Sequence, residues 1–166
     1  MNLHNPQSID PVCLTKLDTS MANHQQTYRN ITYHFCSGHC QERFSEAPVF
    51  FSAPRRIDER HPIPTHHRLR VASVPEAIRE VAGIRLSEVR GVNSVLIGDG
   101  YADIDYDLRL VSLNQLETAM KDAGLPLKGW LHGLSRSLWS FVEHNELENL
   151  ASQPSPCCSR PPIRVR

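Results

Sequence analysis

The sequence predicts an α+β fold divided into two small units, and three observations carry that reading. TYRNITYHF, at residues 27–35, is rich in β-branched and aromatic residues and runs straight into a helical pattern. From residue 67 to 128 strand and helix signals alternate. Between these regions RRIDERHPIPTH, at 55–66, is polar with repeated prolines, the composition of a linker. In a chain of 166 residues neither unit can build a large core.

The elements follow in order. In the first unit, 1–54, Arg29-Asn30 sits at the centre of the β-rich run and predicts a short hairpin. SGHCQERFSEAP predicts a helix that starts at Ser37 and stops before Pro48, with Cys40 and Phe44 on one face. In the second unit, 67–128, a strand at 69–71 precedes Ser73-Val74-Pro75-Glu76, an S-x-x-E capping box with proline in the first turn. That helix should end near Arg90-Gly91. A β-branched strand at 92–97, the Gly98-Asp99-Gly100 turn and YADIDYD, with Ala102, Ile104 and Tyr106 on one face, predict a hairpin. Ser112 to Gln115 offers a second capping box, Leu116, Ala119, Met120 and Ala123 recur at helical spacing, and Gly124 is the stop. Residues 125–127 supply a last strand. The order βαββαβ is the ferredoxin-like arrangement, with helices packed on one face of an antiparallel sheet.

At 129–150 Trp130, Leu131, Leu134, Leu138, Phe141 and Val142 recur at helical spacing, with Arg136, Ser137, Glu143 and His144 off the stripe. This extra amphipathic helix is expected to cover the open face of the sheet or to pair with its copy in a dimer. Residues 151–166 read as a disordered tail that carries Cys157 and Cys158. His66 and His67, just before the first strand of the second unit, read as solvated linker histidines.

Lys+Arg and Asp+Glu both number 18, so there is no basic field to hold nucleic acid. MNLHNPQSID lacks a basic region and an apolar core, and no apolar run approaches the ~20 residues of a membrane helix. The expected location is the cytoplasm. Five cysteines in a reducing compartment point to metal or redox chemistry rather than a disulfide framework.

Cys13, Cys36 and Cys40 form C-x22-C-x3-C, with Cys36 closing a strand and Cys40 entering a helix. Two cysteines four apart at a helix start can present both sulfurs to one ion, and the positive helix end favours the thiolate. Cys13 then closes the chelate. Three thiolates suit Zn(II) with a fourth ligand, or Cu(I) in a three-coordinate site. His39 and His34 are the near candidates for a fourth ligand, Asp10 and His24 the distant ones. Cys157 and Cys158 are expected to form an exposed, labile, secondary metal site, since a disulfide between adjacent cysteines is strained.

DPVC, then TYHFCSGHCQERF, then a proline followed by an aromatic, closely resembles the YHS domain of the TRASH metal-binding group over about forty residues. The matching positions are Asp10, Pro11, Cys13, Tyr33, Phe35, Cys36, Ser37, Cys40 and Phe44. The resemblance implies a small treble-clef-like module for zinc or copper, of the kind found in heavy-metal ATPases, metal sensors and resistance proteins. Leu14-Thr15 stands where the YHS motif has Gly-Met, and Lys16 where another branch has a second cysteine. The second unit resembles a heavy-metal-associated (HMA) domain through Leu86, Val89, Gly91-Val92, ADIDYD and LETAMKDAGL. That family binds its ion in a Met-x-Cys-x-x-Cys loop, whose cysteine positions fall here on Pro75 and Ile78. The loop site is lost.

The function expected from these readings is binding and handling of a transition metal, copper first and zinc second, as carrier, buffer or accessory in heavy-metal homeostasis, without catalysis. Expected partners are a heavy-metal P-type ATPase or another HMA-like domain. The alternatives are an interaction or regulatory module with structural zinc, and an iron–sulfur or thiol redox protein, although no C-x-x-C supports dithiol catalysis.

Overall fold

A computed structural model describes residues 7–20, 22–53 and 61–152. It is a mixed α+β structure with small antiparallel sheets and five helices among the described residues. Cys157 and Cys158 lie outside the described residues, as does the first half of the expected linker.

In the first unit β1 (Gln7–Ile9) pairs with β2 (Lys16–Asp18), and β3 (His24–Tyr28) pairs with β4 (Ile31–Phe35). The second hairpin turns at Arg29 and Asn30, both left-handed at φ +50° and +64° as a two-residue type I′ turn requires. It begins three residues earlier than the β-branched pattern indicated, because Gln25 and Gln26 pair through their backbones with His34 and Tyr33. Helix α1 (Gly38–Glu46) starts where expected: the Ser37 side chain caps it by accepting from the Cys40 N–H. Helix α2 (Pro48–Ser52) follows with proline in its first turn. Phe44 is fully buried and packs against Tyr33, Phe35, Tyr28 and Phe51, with ring centroids 4.8 to 6.2 Å away.

The second unit is built on a three-stranded antiparallel sheet in the order β5-β7-β6, from β5 (Pro64–Arg70), β6 (Val92–Gly98) and β7 (Tyr101–Asp107). Strand β5 starts well before residue 69 and includes His66 and His67. These are sheet residues, not linker histidines: His66 Nδ1 lies 2.8 Å from Asp105, and the His67 ring stacks on Trp139 at 4.7 Å. The strand expected at 125–127 is reduced to one bridge, Leu127 to Val71.

Helix α3 (Glu76–Ser87) begins without the capping box expected at Ser73, whose hydroxyl instead bonds Asp99. Pro75 occupies the cap position, with no side-chain bond. The capping box at Ser112 and Gln115 does form and opens α4 (Leu113–Asp122). Gly124 stops it at φ +84°.

Helix α5 (Trp130–Ser152) packs through a different face from the expected stripe. Leu134, Leu138, Phe141 and Val142 are all more than half exposed, whereas Trp139, Glu143, Leu147 and Leu150 turn inward. A carboxylate decides the rotation. Glu143 is 6% exposed and accepts from the Tyr106 hydroxyl and, at 3.1 Å, from the Leu113 N–H at the start of α4. No helix among the described residues is long and apolar enough to cross a membrane.

The two units share one core, and polar contacts stitch them together. Arg43 of α1, 2% exposed, donates to the Leu108 carbonyl and to Glu46, and Glu46 accepts from Ser112 at 2.9 Å. Such contacts seat the cysteine-bearing helix on the loop between β7 and α4.

Candidate metal centre

Asp10, Cys13, Cys36 and Cys40 converge on one point, with their ligand atoms all within 4.8 Å of one another. Three pieces of local structure bring them there. Cys13 sits in the loop between β1 and β2, closed by the Asp10 N–H to Thr15 carbonyl bond and by Leu14 in the left-handed region at φ +64°. Cys36 follows the last residue of β4, and Cys40 lies in the first turn of α1.

Asp10 is the brace of the group. Its carboxylate is fully buried and accepts from three backbone N–H groups: Val12 at 2.8 Å, Cys13 at 3.2 Å and Cys36 at 2.8 Å. It thereby ties the Cys13 loop to Cys36 across the unit. Burial opposes its ionisation, but the three N–H bonds outweigh burial and hold its pKa below the usual carboxylate value.

The sulfurs lie at chelating distances. Cys36 Sγ is 3.5 Å from Cys13 Sγ and 3.6 Å from Cys40 Sγ. Metal–sulfur bonds of about 2.3 Å imply sulfur–sulfur edges of about 3.8 Å around a tetrahedral ion, so the two edges at Cys36 come within a few tenths of an ångström of the required length. The donor chemistry fits as well. The Cys40 thiol donates to Cys13, the chief reason the Cys13 pKa is held down to about 5 against burial, with Thr15 contributing. The same bond and burial push Cys40 strongly upward, and burial pushes Cys36 up. Hydrogen bonds among the three thiols thus favour thiolate at Cys13 and oppose it at Cys40. An incoming ion displaces the remaining protons, so its binding strengthens as pH rises.

His39 stands outside this group. Its Nε2–H donates to the Leu110 carbonyl at 2.9 Å, and Gln115 reaches its Nδ1 at 3.4 Å and its backbone carbonyl at 3.1 Å. The ring thus faces the second unit, one residue along the helix from Cys40. His24 and His34, on β3 and β4, are also apart from the group, and of the four expected candidates Asp10 alone joins the sulfurs. Pro75 and Ile78, at the start of α3, offer no ligand atoms.

One contact had no sequence signal. Arg90, from the turn between α3 and β6, donates from Nη1 to Cys36 Sγ at 3.3 Å. No protein-family profile matches the chain, and no curated protein is recovered as its relative. The chemistry of the site therefore rests on its own residues.

Proposed function

We propose that this protein binds one thiophilic transition-metal ion through Cys13, Cys36 and Cys40, with Asp10 beside them, and passes it on. Cu(I) is the first assignment and Zn(II) the second. The role is that of a cytoplasmic carrier, buffer or accessory in heavy-metal homeostasis, without catalysis. The observation that carries the reading is the convergence of three sulfurs with a rim left open: Cys40 and Asp10 are fully buried, whereas Cys13 and Cys36 are only half-buried. An incoming thiolate could approach from that rim and take the ion by ligand exchange.

The rest of the chain is consistent with such a role. The treble-clef-like YHS reading of the first unit is supported by the two hairpins and the capped helix that converge on the sulfurs. The ferredoxin-like reading of the second is supported by the β5-β7-β6 order and the Leu127 bridge. A degenerate HMA-like scaffold would serve for docking to a heavy-metal P-type ATPase or to a similar domain. A second reading, structural Zn(II) in an interaction module, is favoured by the full burial of Asp10 and Cys40.

The test is anaerobic purification from copper- or zinc-supplemented cells, followed by elemental analysis and native mass spectrometry. The expected result is one ion per chain, lost in Cys36→Ser. Unchanged metal content in that variant would sink the assignment. Exchange with a chelator decides between the readings: a trafficking site gives up its ion within minutes, and a closed structural site holds it.

A further inference from the structure

We infer that Arg90 is the counter-cation of the thiolate centre, so that the second unit completes the metal site and biases it toward Cu(I) over Zn(II). The inference rests on the reading that Cys13, Cys36 and Cys40 hold the ion. Its basis is geometric. Cys36 is the middle sulfur, within 3.6 Å of each of the others, and the Arg90 guanidinium reaches it from a different unit at 3.3 Å.

The arginine is delivered by a fixed piece of backbone. Gly91 follows it at φ +100°, and a Cβ there would lie 2.7 Å from Leu110 Cβ and 3.0 Å from Val111 Cγ1. The turn is therefore pressed onto the segment that leads into α4. That same segment accepts the His39 hydrogen bond through the Leu110 carbonyl. The second unit thus grips the site twice, at His39 beside Cys40 and at the sulfur of Cys36. Neither contact would be needed if the first unit were a self-contained metal module.

The bias follows from charge. Three thiolates around a monovalent ion leave two negative charges, and around a divalent ion they leave one. A fixed cation in contact with the cluster stabilises each negative charge, so it favours the monovalent complex more. If Asp10 also ligates, both complexes gain one negative charge and the difference between them is unchanged. With about tenfold in affinity for each charge in a partly screened site, losing the guanidinium should weaken Cu(I) about tenfold more than Zn(II).

The experiment uses the full chain as wild type, Arg90→Gln, Arg90→Met and Arg90→Lys, titrated anaerobically against competing chromophoric Cu(I) and Zn(II) chelators. Circular dichroism of each metal-free variant checks the fold. The expected result is a larger loss for Cu(I) than for Zn(II) in Arg90→Gln, with substantial recovery in Arg90→Lys. Arg90→Met, which retains the aliphatic stem, should repeat the Gln result and serves as the neutral variant if Arg90→Gln does not fold. Wild-type affinities in a folded neutral variant, or equal losses for the two ions, would overturn the role of Arg90. A wild-type chain that binds neither ion would instead overturn the metal reading itself.

Discussion

Leu14 holds a left-handed backbone between Cys13 and Thr15, at φ +64°. Left-handed backbone costs a residue with a Cβ about 1–2 kcal/mol, and glycine's extra freedom in the unfolded chain returns about 0.5–1 kcal/mol. Leu14→Gly should therefore leave the metal-free protein as stable or up to about 1.5 kcal/mol more stable in chemical denaturation. A loss larger than about 1 kcal/mol would mean that packing of the leucine outweighs the strain. At this scale the sulfurs were legible, because a strand end, a helix start and a distant cysteine form a pattern that spacing reveals. His39 was misread because its place between two cysteines says nothing of where its ring turns; the Leu110 carbonyl decides that. Arg90 was invisible, since only the fold brings it within reach of a residue 54 positions earlier.

Among the elements, α5 shows how a polar group can override an apolar stripe. Periodicity chose Leu134, Leu138 and Phe141 as the packing face, yet Glu143 points inward, with Trp139 and Leu147 beside it. Its carboxylate satisfies the buried Tyr106 hydroxyl and an N–H at the positive end of α4. Glu143→Ala strands both donors, and should cost about 2–4 kcal/mol in denaturant melts; a cost under about 0.5 kcal/mol would show that water replaces the carboxylate freely. Tyr106 gives a pH signature. Burial first, then the Glu143 charge, raise its pKa well above the ordinary tyrosine value. The folded state therefore favours the neutral phenol, and this contribution is complete below about pH 10 and is lost as pH rises above it. Thermal midpoints should fall steeply above about pH 10 in wild type and less steeply in Tyr106→Phe; parallel profiles would refute the assignment. The capping box at Ser112 was legible and the one at Ser73 was not formed, although both have the same spacing. Asp99, from the neighbouring turn, captures the Ser73 hydroxyl first.

For the whole molecule, the proline-rich stretch suggests two units, but nothing in it signals the core and the polar contacts they share. Periodicity shows which face of an element is apolar, and not that Arg43, Glu46 and His39 of the first unit are answered by Leu108, Ser112 and Leu110 of the second. The union predicts that metal binding is felt far from the sulfurs. Both tryptophans belong to the second half of the chain, Trp130 and Trp139, so their fluorescence reports on that half. Ion at a hundredfold excess over its dissociation constant stabilises the folded state by about 2.7 kcal/mol, and the tryptophan transition should move up together with the circular dichroism transition. A tryptophan transition that ignores the ion would mean that the units melt independently. The same contacts set an order of events on the ribosome. Cys13, Cys36 and Cys40 are made before the residues that complete their surroundings: Arg90 follows Cys36 by 54 positions, and Leu110 and Gln115 follow their partner His39 by 71 and 76. During synthesis the three thiols therefore emerge without their counter-cation and without the loop that seats their helix, so an ion captured by the nascent chain is held by an unfinished site until the second half has folded against it.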